Sequence, residues 1–394
     1  MKFSVLLPTR NRIELLKYAI ETVRLQEYAD WEIIVSDNCS EQDVAGYINS
    51  LTDSRIKYFR TKDFVPVTEN WNNALEKATG DYIIMLGDDD GLMPTYFSFL
   101  EQEIRKFNYP DFIYTGAYIY AYPDVIPEYP YGYLKLFNQA KFIKQRKDPY
   151  ILNKKMATEY AKDSMNLKMS FAYNMQYSLI KKDMVEKTFN KGDFFQSPYP
   201  DFYATNVLFL LANRILIVPS PMVIIGITSK SYGYYFFNNK EEEGVRVLLK
   251  NFPRKEDIEP LFKIILPGRI FTTFWLLAME LIRINYSDEY ELHVDYARYR
   301  RSQIRYVGYQ YYRNKVVPKD KFLEFKKLLD PDEIIFLYGL SIAFIISPTF
   351  PAILRKYLNK LYSVFISKDI DVGGNILHNR FNNLMEVFEY YSKS

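Results

Sequence analysis

The first hundred residues alternate between short β-branched runs and longer segments with helical spacing of apolar residues, and this alternation constrains the fold most. Strands are predicted at 3–9, 31–37, 56–61 and 81–86, and helices at 13–26, 43–51 and 67–78. Strands that alternate with helices favour a parallel sheet wound on both faces. We therefore predict an α/β fold with a Rossmann-like, mostly parallel central sheet and helices on both of its faces.

The rest of the chain divides into a continuation of this pattern and a helical region. A helix is predicted at 95–107, a strand at 111–121, irregular structure at 122–165 and a last strand at 222–227. From about residue 240 the pattern becomes helical. The polar stretch "FFNNKEEEG" is typical of a linker, so we predict a catalytic domain over 1–239 and a helical C-terminal domain over 240–394.

Length and composition exclude several classes of protein. A chain of 394 residues is longer than one typical core supports, and 48% hydrophobic residues indicate a globular protein. A net charge of only +3 gives no strongly basic field for nucleic acid. The single cysteine, Cys39, excludes disulfides within the chain, and we expect it to pack rather than react.

Three apolar stretches of the chain bear on targeting and membrane contact. The apolar run at the N-terminus covers only 3–7 and stops at Pro8, so it is too short for a signal peptide and predicts a cytoplasmic protein. The apolar segments 264–282 and 334–346 are interrupted by charge or are too short to cross a bilayer. Both are predicted as buried or interface helices, with peripheral membrane contact as an alternative.

Three consecutive aspartates, Asp88, Asp89 and Asp90, follow the fourth predicted strand in "YIIMLGDDDGLMP". Asp37 follows the second strand, and the carboxyl ends of parallel strands share one edge of the sheet, where ligands bind. Such a carboxylate cluster suits Mg²⁺ or Mn²⁺. A solvated acidic turn without a metal is the alternative.

Four stretches carry a resemblance to a known family. They are "VLLPTRNR" (5–12), "WEIIVSDNCS" (31–40), "WNNALEKATGDYIIMLGDDDGLMP" (71–94) and "PDFYATN" (200–206). The chain resembles the inverting nucleotide-sugar glycosyltransferases of family two, of bacterial type, which have the GT-A fold. The resemblance covers roughly residues 1–235, and the part from 240 onward matches no family that we can name.

The resemblance implies which residues bind the donor nucleotide. They are Pro8, Thr9, Asn11 and Arg12 after the first strand, Asp37 after the second, and Asn72 at the start of the third helix. Asp37 would accept a hydrogen bond from the imide of the base, which favours uracil and hence a UDP-sugar. Its alternative role is an N-cap for the helix that begins near Asp43.

The family's metal motif falls on the three aspartates with one departure, because its first aspartate aligns with Gly87. By resemblance Asp89 is the primary ligand of Mn²⁺ or Mg²⁺, and Asp88 contacts the metal or the ribose. Asp90 would support the metal ligands or contact the sugar. Lys230, in the loop "GITSKSYG" (226–233), would bind the diphosphate, unless this loop is a plain surface turn.

An inverting transfer also needs a base that removes the proton of the acceptor hydroxyl. In relatives this is an acidic residue at the start of a helix about a hundred residues after the metal motif, which points to Asp201. An ordinary aspartate that stabilises the helix N-terminus is the alternative. Glu159, Asp163 and Asp193 are further candidates for the base, and no role is assigned to His293 or His378.

The predicted function is transfer of a sugar from a UDP-sugar to a hydroxyl of a glycan, glycoprotein or lipid-linked saccharide. The loops over 122–170 would contact this acceptor. A nucleotidyltransferase is one alternative, although "PTRNRIE" contains no glycine. A catalytically inactive assembly subunit is the other. No nucleic-acid partner is expected, and the C-terminal helices are predicted to mediate a homo-oligomer.

Overall fold

The computed structural model describes residues 1–137, 140–231, 259–346, 376–377 and 381–393. The strands are β1 (Phe3–Thr9), β2 (Trp31–Asp37), β3 (Ile56–Arg60), β4 (Tyr82–Met85), β5 (Gly91–Leu92), β6 (Phe112–Ala121), β7 (Tyr133–Leu136), β8 (Tyr150–Leu152), β9 (Ser178–Lys181), β10 (Ile215–Ile227) and β11 (Ile376–Leu377). The helices are α1 (Ile13–Arg24), α2 (Val44–Ser50), α3 (Val67–Glu76), α4 (Tyr96–Lys106), α5 (Lys154–Met165), α6 (Lys182–Glu186), α7 (Pro200–Leu211), α8 (Ile270–Tyr286), α9 (Tyr296–Tyr312), α10 (Lys319–Lys326), α11 (Pro331–Ile346) and α12 (Leu384–Ser392).

The central sheet runs in the order β11-β7-β6-β9-β4-β1-β2-β3, and β10 pairs with β5, β6 and β8. Strands β1, β2, β3 and β4 are mutually parallel. Strand β9 is antiparallel to both β4 and β6, while β10 is parallel to β6. The predicted α/β class with a mostly parallel sheet is therefore confirmed, and the ends of β1, β2 and β4 share one edge.

Strands β1 and β2 are covered on both faces of the sheet. Every residue of β1 and of β2 is buried, as expected for parallel strands that are covered on both faces. Helix α1 buries Leu16, Ala19, Ile20 and Val23, which recur at helical spacing. Apolar periodicity thus places α1 against the sheet and leaves its charged face outside.

The prediction of irregular structure over 122–165 is wrong. This stretch contains β7, β8 and the whole of α5. The last strand of the domain also begins at Ile215, seven residues before the predicted start. Pro219 and Pro221 lie inside β10, where the pairing with β6 shifts register between Val218 and Val223. A bulge tolerates proline within a strand, so the prolines did not mark the end of the strand.

The chain groups into two compact units. The first comprises 1–161, 170–252 and 372–394, and the second comprises 162–169 and 253–371. The C-terminal residues 372–394 thus belong with the sheet. The boundary predicted near residue 240, with its linker, lies outside the described residues, and the division at 239/240 stays a prediction.

Helix α12 is part of the core of the first unit. Leu384 and Val387 are fully buried in a cluster with Met93, Tyr120 and Ile224. The hydroxyl of Tyr120 donates to the backbone oxygen of Phe381 at 2.8 Å, and Asn383 caps the helix by accepting from the backbone N–H of Glu386. The first unit therefore includes residues from the far end of the chain.

Between residues 270 and 346 the second unit contains the helices α8 to α11, as expected for the predicted helical C-terminal region. Arg300 on α9 makes two hydrogen bonds of 2.7 Å to the carboxylate of Glu333 on α11. Ile304 and Leu337 are fully buried in the cluster beneath this pair. No helix among the described residues has the length and apolarity needed to cross a bilayer.

Candidate active site

The loop after β1 contacts the acidic residues after β4 through an ion pair. Arg12 Nη2 lies 2.8 Å from Asp88 Oδ1, and Arg12 Nη1 lies 3.4 Å from Asp89 Oδ2. The hydroxyl of Thr9 donates to Asp88 Oδ2 at 2.6 Å. Burial raises the pKa of the Asp88 carboxyl to about 6, against the opposing effect of Arg12. Both oxygens of Asp88 are thus engaged by the loop that carries Thr9 and Arg12.

Asp90 is a buried carboxylate held by three N–H donors. Its Oδ2 accepts from the backbone of Gly87 at 2.9 Å and from the amide of Gln176 at 2.7 Å, and its Oδ1 accepts from the backbone of Gly226 at 2.8 Å. Burial and the charge of Asp89 raise the pKa of Asp90 well above its ordinary value. Asp90 therefore joins β4 to the segment before β9 and to the end of β10.

Asp89 differs from its neighbours because one of its oxygens is open. Oδ2 accepts from the Ser231 hydroxyl at 2.6 Å and faces Arg12. For Oδ1, no hydrogen bond from the described part of the chain is found. The side chain keeps 10% of its surface exposed, against none for Asp88. Asp89 is the one member of the triplet that can offer an oxygen to a ligand without losing a partner.

The carboxylate oxygens of the aspartate triplet fit a divalent metal that takes most of its ligands from the substrate. Among the described residues, no group of three or more His, Cys, Asp and Glu side chains is arranged to hold a metal ion. Mg²⁺ and related ions commonly use one or two carboxylates together with substrate phosphates and water. Asp89 Oδ1 can supply one such ligand. Asp88 could contribute only by giving up Arg12 or Thr9.

Asp37 is fully buried at the end of β2. Its Oδ1 accepts from the backbone of Ser40 at 2.9 Å. Its Oδ2 accepts from the Tyr58 hydroxyl at 2.7 Å and lies 3.2 Å from Arg60 Nη1. The alternative role as an N-cap of α2 is wrong, because Asp43 caps that helix by accepting from Gly46. The base-binding role of Asp37 stays a prediction.

A cavity of about 310 Å³ opens beside Arg12. Its walls come from the loop after β1, the residues after β6 and the turn after β10, and include Asn11, Tyr122, Thr228 and Lys230. Lys230 Nζ donates to the backbone oxygen of Asn11 at 3.2 Å and makes no ion pair with a described residue. A cation without a counter-ion beside a cavity can bind a phosphate.

Asn72 holds the backbone of Phe195 through both atoms of its amide. Its amide nitrogen donates to the backbone oxygen of Phe195 at 2.9 Å, and its amide oxygen accepts from the backbone N–H of the same residue at 3.0 Å. Asn72 therefore fixes the segment that leads into α7. Its predicted role in nucleotide binding stays a prediction. Pro8, for which the same role is predicted, lies within β1.

Asp201 lies in the first turn of α7, directly after Pro200. The hydroxyl of Thr205, one turn further, donates to the backbone oxygen of Tyr173 at 2.7 Å. The segment that follows Tyr173 carries Gln176, which donates to Asp90. The helix that bears Asp201 and the aspartate triplet are thus joined through one short segment.

Burial raises the pKa of the Asp201 carboxyl to about 6. A carboxylate with this pKa is ionised at pH 7 and accepts protons more readily than an exposed aspartate, as a general base requires. Of the other candidates, Glu159 and Asp193 are exposed, and Asp163 is half-buried near Lys168. Asp201 therefore stays the predicted base among the four.

The structure also shows which site residues the sequence did not indicate. Gln176, Gly226 and Ser231 contact the aspartates, but each lies more than eighty residues away along the chain. Only the hydroxyl-rich loop after the last strand hinted at Ser231. His293 is exposed, and its Nε2 lies 3.4 Å from Glu291. His378 lies outside the described residues, and Cys39 is a free thiol.

Comparison with known proteins agrees with this site. Residues 4–171 match the sequence model of glycosyl transferase family 2. Over 108 residues the chain is 40% identical to the GalNAc(5)-diNAcBac-PP-undecaprenol beta-1,3-glucosyltransferase of Campylobacter jejuni. This alignment covers 27% of this chain and 35% of that protein. It is 31% identical over 139 residues to the UDP-Glc:alpha-D-GlcNAc-diphosphoundecaprenol beta-1,3-glucosyltransferase WfaP of Escherichia coli, covering 33% of this chain and 53% of WfaP.

The chain therefore spans about a third to a half of the length of these relatives. Among solved structures, TarS 1–349 of S. aureus in complex with UDP-GlcNAc aligns with 100% of this chain and 92% of its own, at 14% identity and a TM-score of 0.47. The match over 4–171 contains the loop with Thr9 and Arg12, Asp37, and the three aspartates. Residues 4–171 of this chain are therefore similar to glycosyl transferase family 2, and they lie within an α/β fold with a mostly parallel central sheet.

Proposed function

We propose that this protein transfers a sugar, with inversion, from a UDP-sugar to a hydroxyl of a lipid-linked saccharide. The observation that carries the proposal is the open carboxylate oxygen of Asp89 beside Arg12, at the edge where β1, β2 and β4 end. Two relatives, WfaP and WfgD of Escherichia coli, are named for UDP-Glc and a diphosphoundecaprenol acceptor. A UDP-sugar and a lipid-linked saccharide are accordingly the substrates proposed here.

The donor would lie along the carboxyl ends of β1, β2 and β4. Asp37 would set the preference for the base, and Arg12 and Lys230 would bind the diphosphate. A divalent cation held by Asp89, with Asp88 as a second contact, would offset the negative charge of the leaving diphosphate. The buried position of Asp88 and Asp90 keeps this edge rigid, because every one of their carboxylate oxygens has a protein partner.

Asp201 would act on the acceptor. The acceptor hydroxyl attacks the anomeric carbon as the bond to the UDP oxygen breaks, and Asp201 takes the hydroxyl proton. One displacement inverts the anomeric configuration, and UDP leaves with the bonding electrons. The pKa of about 6 keeps Asp201 ionised at neutral pH, so the base is ready before the acceptor binds.

Calorimetric titration with UDP tests the donor and the metal together. We expect UDP to bind in the presence of Mn²⁺ and its affinity to fall at least about tenfold when EDTA is added, which corresponds to about 1.4 kcal/mol. The same loss is expected for Asp89→Ala with Mn²⁺ present, because the variant removes the open oxygen. Asp89→Ala should stay folded and lose transfer.

Equal UDP affinity with and without metal would contradict the metal assignment. Turnover of Asp89→Ala within a few-fold of the wild type would place the ligand elsewhere. The acceptor is tested separately by offering undecaprenol-diphosphate saccharides and free oligosaccharides with UDP-glucose. Transfer to neither class, with UDP binding intact, would contradict the proposed acceptor alone.

A further inference from the structure

The end of β10 is attached to the aspartate triplet at two points. The backbone N–H of Gly226 donates to Asp90, and the hydroxyl of Ser231 donates to Asp89 Oδ2 at 2.6 Å. A Cβ at position 226 would lie 1.9 Å from the backbone oxygen of Asp89. Glycine thus lets β10 approach closely enough for the turn over 228–231 to reach the carboxylate of Asp89.

Ser231 is itself oriented by its own turn. Its Oγ accepts from the backbone N–H of Thr228 at 2.7 Å, and the two hydroxyl oxygens of Thr228 and Ser231 lie 2.9 Å apart. A serine hydroxyl has one proton to donate. The hydrogen bond to Asp89 uses that proton, and Thr228 can donate its own proton to Ser231.

This arrangement decides which oxygen of Asp89 is available. The terminal torsion of an aspartate is broad and roughly two-fold, so the carboxylate plane is poorly fixed by its rotamer. The hydrogen bond from Ser231 occupies Oδ2 and leaves Oδ1 open. We propose that Ser231 is a positioning residue that holds the Asp89 carboxylate so that Oδ1 is available to a divalent cation.

The inference rests on the proposed function, in which Asp89 binds the metal. The same turn carries Lys230, which reaches across to the backbone of Asn11. Ser231 therefore links the orientation of the Asp89 carboxylate to the position of the Lys230 ammonium group beside the cavity. Loss of Ser231 should weaken metal binding without removing any ligand atom.

The test is the apparent affinity for Mn²⁺, measured by UDP calorimetry over a series of Mn²⁺ concentrations. Removing a hydrogen-bond partner of a metal ligand typically costs 10- to 100-fold in metal affinity. We expect Ser231→Ala to raise the half-saturating Mn²⁺ concentration by about tenfold. Ser231→Thr, which keeps the hydroxyl, should restore most of the loss.

Ser229→Ala is the matched control, since Ser229 lies in the same turn but is exposed and makes no hydrogen bond to Asp89 in the described structure. Its half-saturating Mn²⁺ concentration should equal that of the wild type. The unfolding temperature of each variant without Mn²⁺ and UDP shows whether the fold is kept. A Ser231→Ala value equal to the wild type, or equal effects of Ser229→Ala and Ser231→Ala, would overturn the positioning role.

Asp89→Ala separates the two proposals. If that variant loses the Mn²⁺ dependence and Ser231→Ala keeps the half-saturating Mn²⁺ concentration of the wild type, the positioning role is wrong and the metal ligand is right. If the wild type itself shows no Mn²⁺ dependence, both are wrong.

Discussion

Arg12 lies within 3.4 Å of two of the three consecutive aspartates, and backbone and amide N–H groups surround the third. Three adjacent carboxylates at a strand end would otherwise repel one another and lose hydration. The protein offsets this cost with its own groups for Asp88 and Asp90. In the described part of the chain no hydrogen bond reaches Asp89 Oδ1, so the metal prediction narrows to that residue.

Asp201→Asn is predicted to separate catalysis from donor binding. The amide cannot accept the acceptor's proton, so transfer should fall by roughly 10²-fold or more, the usual scale for a positioned base. UDP affinity should stay at the wild-type value. For the wild type, kcat/KM should rise with pH through about 6 and level off above it, since the carboxyl must lose its proton to act.

Stability provides the control for this variant. The folded-state pKa of Asp201 lies above the ordinary value of 3.8, so the folded protein binds the proton more tightly than the unfolded chain. This contribution is present at low pH and is lost as pH rises through about 6. Asp201→Asn should therefore unfold no more easily than the wild type at pH 7.5. Retained transfer would shift the role of base to Glu159, Asp163 or Asp193.

At the scale of elements, β5 and α12, which lie far apart in the chain, pack beside the aspartate triplet. Strand β5 follows Asp90 directly and pairs with β10 at Val223 and Ile224. A Cβ at Gly91 would lie 2.9 Å from Leu384 Cδ2, so this glycine allows α12 to pack on β5. The C-terminal helix thus fixes the backbone next to the aspartates.

Leu384→Ala is predicted to destabilise the first unit, to which α12 belongs. Leu384 is fully buried, and truncation of a buried leucine to alanine costs about 2–5 kcal/mol through lost transfer energy and the remaining cavity. Urea unfolding, followed by intrinsic fluorescence, measures the change in midpoint. Glu389→Ala, at an exposed position of the same helix, should change stability by no more than about 0.5 kcal/mol. Equal midpoints for the two variants would show that α12 does not support the core.

At the scale of the whole molecule, the helical unit is inserted between β10 and α12 in the chain. It presents several large apolar side chains to solvent, with Val316 exposed at 69% and Ile335 at 73%. Soluble monomers rarely expose large contiguous apolar surfaces. These side chains favour the predicted role of the C-terminal helices in a contact between copies of the chain.

Light scattering of the full chain tests this oligomer. We expect a mass of more than one chain at micromolar concentration, and a shift toward one chain for Ile335→Asp, because a charge on an apolar interface costs desolvation. Glu324→Lys, at an exposed polar position on α10, should leave the mass unchanged. A monomeric wild type would rule the oligomer out. If the monomeric protein then sediments with liposomes, the exposed apolar side chains contact a membrane surface instead.

Sequence alone determined the parallel half of the sheet and the residues at its edge. Buried parallel strands are short apolar runs, and the loops that follow them must meet at one edge, so Thr9, Arg12, Asp37 and the three aspartates were predictable as neighbours. This information is local along the chain. It fixes which residues lie at this edge of the sheet, although not which carboxylate oxygen stays open.

Only the tertiary structure decided the partners of those residues. Gln176, Gly226 and Ser231 reach the aspartates from strands and turns far along the chain, and Leu384 reaches β5 from the C-terminus. The order of β9, β10 and α12 around the sheet depends on long-range packing, which leaves no periodic trace in the sequence. Burial likewise raised the pKa of Asp201 to about 6, because desolvation depends on every chain segment that covers a side chain.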